Sequence, residues 1–116
     1  MRRDELTLFA TDPRGYKVLC NDAQMEHIYA HHPELKNFWA TEEDLAKAIS
    51  NAPFIFQSVK SKEYNVYYLS KPGKNTELKV VVRFDENNTG ILWAAQPSAI
   101  EQRKPGERVV WPLLKN

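Results

Sequence analysis

The chain reads as an α+β domain: an N-terminal β-hairpin, two short helices, then a four-stranded antiparallel meander sheet packed on the helices. Three observations predict this. Apolar residues recur at three- and four-residue spacing between Met25 and Ala52, they recur at every second position from Phe54 onward, and the spacers between the later runs are short. The first spacing is that of a helix and the second that of a strand. Short spacers join only antiparallel neighbours, because a parallel return needs a crossover of about a dozen residues.

Each element has its own signals. Residues 5–10 are β-type and lead into Asp12-Pro13-Arg14-Gly15, where Pro presets φ and Gly accepts a positive φ, so residues 16–20 return as the second strand of a hairpin. Asn21 or Asp22 caps a first helix whose stripe is Met25, Ile28 and Tyr29; it runs to about His31, since Pro33 opposes continuation past His32. Thr41-Glu42-Glu43-Asp44 resembles a capping box with Asp as its last member, Leu45, Ala48, Ile49 and Ala52 form the stripe of a second helix, and Pro53 stops it. Strands are expected over residues 54–60, 64–70, 78–84 and 91–95. In the third of these Leu78, Val80, Val82 and Phe84 share one face, which the helices cover, and Lys79, Val81 and Arg83 share the other. Val109-Val110-Trp111 is suited to an added edge strand before Pro112.

Composition bounds the function classes. A chain of 116 residues fits one domain, taken as 1–116, and 42% hydrophobic with 27% charged residues is ordinary globular usage. The formal charge of +1 excludes a whole-molecule field that draws a protein onto nucleic acid, so such binding requires a local patch. No run approaches the roughly 20 apolar residues of a membrane span, and the N-terminus lacks a signal-peptide core, so a cytoplasmic protein without membrane contact is expected. Cys20 stands alone, which excludes an intrachain disulfide and a thiolate cluster, and its apolar surroundings suit a buried thiol.

The three histidines, His27, His31 and His32, lie within six positions, and imidazole is the side chain best placed to move protons near neutral pH. Histidines at a helix C-terminus also bond its last carbonyls and favour its dipole, which is a structural use of the same residues. His27 and His31 are spaced as in helical zinc sites, but a third ligand is missing and no metal is expected. The Lys79 and Arg83 face, with Tyr67 near it, suits a phosphate, or is simply a solvated sheet face. Trp93 suits stacking on an unpaired base, or the core. With four glycines and no phosphate loop, no nucleotide cofactor is expected.

Leu8-Phe9, Asp12, Gly15, His27-Ile28 and His32-Pro33-Glu34-Leu35, followed by the boundary Asn51-Ala52-Pro53, resemble the phage- and toxin-associated nucleases of the barnase, EndoU, colicin and RelE fold group. The resemblance covers residues 6–96, mostly in order of elements, with the histidine segment its most specific motif. It implies a small metal-independent ribonuclease, toxin-like or of mobile-element origin, with RNA as substrate and a neutralising protein as partner. It assigns His27 and His32 to acid and base work, and Arg83, with Lys79 behind it, to the phosphate. Relatives commonly place a Ser or Thr at the end of the last sheet strand, where this chain has Leu92-Trp93-Ala94-Ala95-Gln96-Pro97-Ser98, so either Gln96 or Ser98 substitutes or the activity is weakened or lost. The alternative is a noncatalytic protein- or RNA-binding module on the same fold, gripping its partner through Trp93, Tyr67 and the sheet face. What separates the two is whether the His27 or His32 ring opens onto the groove of Arg83.

Overall fold

Asp12, Pro13, Arg14 and Gly15 close the first hairpin with Gly15 at φ 86°, and the Asp12 amide and carbonyl bond across the turn to Tyr16 and Gly15. The computed structural model describes residues 5–37, 40–70, 76–99 and 107–113. Along them run β1 (Thr7–Thr11), β2 (Lys17–Cys20), α1 (Asp22–His31), α2 (Glu34–Asn37), α3 (Glu42–Ser50), β3 (Ile55–Gln57), β4 (Tyr64–Ser70), β5 (Thr76–Phe84), β6 (Gly90–Ala99) and β7 (Arg108–Trp111).

The strands form one mixed, half-barrel sheet of seven, ordered β1-β2-β6-β5-β4-β3-β7, and this overturns the expected four-stranded antiparallel meander. The protein remains α+β. The hairpin does not stand apart: β2 lies parallel to β6, with Val18 opposite Gly90 and Leu19 opposite Ile91. Spacer length constrains only consecutive strands, and the helices carry the chain from β2 to the far side of the sheet, which is how a parallel neighbour arises. At the other edge β7 pairs with β3. A third helix, α2, also appears after Pro33, a residue that ends one helix but suits the first turn of the next. Strand β6 runs on through Pro97, which is tolerated because β2 reaches only the start of β6 and, among the described residues, leaves that flank without a ladder.

All three helices sit against one face. Helix α3 packs on β1, β4 and β5, while α1 and α2 pack on β6. The Thr41 and Asp44 side chains cap α3 reciprocally, and Leu45, Ala48 and Ile49 are its buried stripe. From the sheet side Leu78, Val80 and Val82 meet them, joined by Val18, Tyr67, Leu92 and Ala95. Gly90 is required where β6 begins. A Cβ there would lie 2.5 Å from Val82 Cγ1 and 2.9 Å from Phe84 Cε1. Gly90→Ala is therefore expected to cost about 1–3 kcal/mol by overpacking, read as a lower urea midpoint at unchanged slope.

Candidate functional site

Side chains alternate along β5, so with Leu78, Val80 and Val82 in the core, Lys79, Val81 and Arg83 take the face away from the helices. A bulge in β6 aims a tryptophan at the same face. Val81 stands opposite Ala94 and Val82 opposite Leu92, which leaves Trp93 as the extra residue. Gln24 of α1 donates through Nε2 to the Leu92 and Trp93 carbonyls, 3.0 and 3.2 Å away, so α1 braces the bulge.

The result is a cluster at one end of the sheet. The Arg83 guanidinium carbon lies 5.4 Å from the Trp93 ring centroid and 6.0 Å from that of Tyr64, and the two rings meet edge to face at 5.9 Å. Glu63 Oε2 is 3.7 Å from Arg83 Nε. Trp93 is 41% exposed, an unusual state for so large a ring, and it lines an open groove with Lys62, Glu63 and Arg83. That groove continues round the end of the sheet, past the turn of residues 85–89, to Arg14 and Asn65.

The histidines do not join it. On α1, Met25 and Ile28 face the core, while His27 and His31 are exposed and touch each other, their ring centroids 4.2 Å apart and their planes tilted by 57°. His32 is held at the helix end by its amide to the Ile28 carbonyl, and its Nδ1 lies 2.9 Å from Glu34 Oε1. That hydrogen bond holds the Glu34 carboxyl below its ordinary range. Helix α1 covers the face opposite Arg83, and neither the groove nor the hollow between the helices is lined by a histidine among the described residues. No three His, Cys, Asp or Glu side chains gather to hold an ion among the described residues.

The remaining expected contacts divide. Lys79 is four residues from Arg83, roughly 13 Å along the strand, and its ammonium faces Glu107 Oε2 at 3.6 Å, a carboxylate that also accepts from the Tyr68 hydroxyl. Gln96 lies opposite Lys79 and Ser98 opposite Glu77, so both belong to that far end. Tyr67 is on the other face altogether, opposite Val80 and fully buried.

There Tyr67 completes a polar network that closes the hairpin onto β4. Its hydroxyl donates to Asp12 Oδ2 at 2.9 Å, and Asp12, 3% exposed, also accepts from Arg14 Nε and Nη2 at 3.0 and 2.7 Å and from the backbone amides of Arg14 and Tyr16. Arg14 Nη2 reaches Asn65 Oδ1 at 2.8 Å. Burial, with the Asp12 charge second, raises the Tyr67 phenol far above its ordinary value. The unfolded chain therefore loses this proton first as pH rises. Tyr67 contributes stability that is fully present below about pH 10 and falls away above it. Urea unfolding between pH 8 and 11 is expected to show that decline, with a shallower one in Tyr67→Phe.

Sequence reasoning missed Asp12, Arg14, Lys62, Glu63, Tyr64 and Asn65. A signal existed for two of them. Asn65 and Tyr67 alternate in β4 on the core side, where an Asn needs buried partners, and Asp12 is a carboxylate in the turn that the hairpin folds against them. Comparison of the chain with known protein families, with curated proteins and with solved structures finds no match.

Proposed function

We propose that this protein binds single-stranded RNA on the sheet face of Arg83, as a noncatalytic module. The observation that carries the reading is the exposed Trp93 ring beside the Arg83 guanidinium in one groove. Single strands are gripped by exactly such pairs of chemistries: an aromatic face for an unpaired base and a cation for the phosphate next to it. Lys62 and Arg14 join Arg83 along the groove, and Glu63, Asp85 and Glu86 match these positive charges one for one. Affinity therefore rests on stacking and directed hydrogen bonds rather than on net charge.

A second reading is favoured by one further contact. The Glu63 carboxylate is half-exposed and pairs with Arg83, which is the arrangement a base and a phosphate-binding cation need if a ribose 2′-hydroxyl is to be activated beside its own phosphate. In that case the protein is a metal-independent ribonuclease, toxin-like as its histidine segment suggests, but with Glu63 in the role the resemblance gives to His27 or His32. One assay separates these readings. A labelled single-stranded RNA is incubated with the protein in EDTA, and both binding and cleavage are followed. Binding without cleavage is the expected result. Cleavage lost in Glu63→Gln but kept in His27→Ala and His32→Ala establishes the second reading. Cleavage lost in the histidine variants restores the histidine assignment, and absence of binding refutes the groove as an RNA site.

A further inference from the structure

Arginine carries five N–H donors in a fixed plane, and at Arg14 the described residues engage only those on Nε and Nη2. Nε donates to Asp12 Oδ2, and Nη2 has Asp12 Oδ2, Asn65 Oδ1 and Tyr67 Oη within 2.7, 2.8 and 3.3 Å. Nη1, with two donors, meets no partner among the described residues. Its side chain is 15% exposed and lines the groove that Arg83 lines. The guanidinium also rests against two rings that meet edge to face, with the Tyr16 and Phe84 centroids 4.4 and 5.3 Å from its carbon.

We infer that Arg14 is a preset phosphate contact, which receives one phosphodiester of the strand whose neighbouring part lies at Arg83 and Trp93. The inference rests on the RNA-binding reading and extends its footprint round the end of the sheet. Two features favour an anion at Nη1. Arg14 lines the open groove, and a charged acceptor there gives its Nη1 donors a stronger bond than a neutral one does. The partners beneath also fix the guanidinium before any ligand arrives, so little side-chain freedom is lost on binding. Because Asp12 already neutralises its charge, Arg14 attracts a phosphate by aimed N–H groups. That makes it a contact of register, in contrast to the more exposed Arg83.

The test uses the intact protein with isotopically labelled arginine side chains, followed by nuclear magnetic resonance. One arm adds single-stranded oligouridylate and another adds inorganic phosphate. The expected result is that the Arg14 Nη1 hydrogens shift and rotate more slowly as the oligonucleotide saturates Trp93, with phosphate alone doing so only at far higher concentration. Arg14→Lys is expected to weaken oligonucleotide binding about tenfold while the far-ultraviolet circular dichroism is kept. The inference is overturned if the oligonucleotide shifts Arg83 and the Trp93 indole but leaves Arg14 Nη1 unchanged. It is equally overturned if phosphate alone shifts Arg14 as readily as the strand does. If the oligonucleotide shifts nothing, the RNA reading fails and this inference with it.

Discussion

Asp12→Ala is expected to remove about 3 kcal/mol of folding stability, at the lower end of what breaking a buried ion pair costs, because the Arg14 guanidinium keeps some contact with water. The change leaves the Tyr67 hydroxyl without its acceptor, the Arg14 guanidinium without its counter-charge and two turn amides without the side-chain oxygen they bond. Since a domain of this size has roughly 5–15 kcal/mol in all, the loss is a large share. It is read as a fall in the urea midpoint with an unchanged slope. Asp12→Asn keeps the size and an acceptor, so it should cost less than the alanine change. A midpoint for Asp12→Ala within error of the parent would show that the network contributes nothing net.

The second large effect concerns binding. Stacking of a base on an aromatic side chain is worth about 1–3 kcal/mol, so Trp93→Ala should weaken RNA binding roughly 5- to 150-fold. The ring is exposed and lies outside the core cluster, so stability should change little. Trp93→Phe should retain much of the affinity, because any aromatic face can stack. Loss of equal size in both variants would place the ring's role in holding the bulge, not in contacting a base.

Much of the helical layer was legible in the chain. Thr41, Asp44, Leu45 and Ile49 combine cap and stripe at adjacent positions, so α3 follows from local rules alone. The alternation from Leu78 to Arg83 likewise named the buried face of β5 and its opposite. Sheet order was not legible, because β2 and β6 are distant in sequence and their parallel pairing depends on where the intervening helices deliver the chain. The site divides on the same line. Arg83 and Trp93 could be singled out by residue type, whereas their neighbours Glu63 and Tyr64 are local only once β4 and β5 are paired. The histidine cluster drew attention by composition. Its i, i+4 spacing brings His27 and His31 together on the solvent side of α1, and nothing in that spacing could say which side of the sheet the helix would cover.

The most direct test titrates one fluorescent single-stranded RNA with the parent protein, with Arg83→Ala and with the double variant His27→Ala/His32→Ala, each followed by anisotropy over a range of salt. Arg83→Ala should bind more weakly, with a salt slope shallower by about 0.7, as expected for one lost phosphate contact, and the histidine double variant should match the parent. An unchanged Arg83→Ala beside a weakened histidine variant would contradict the account, moving the ligand to the helix side of the molecule.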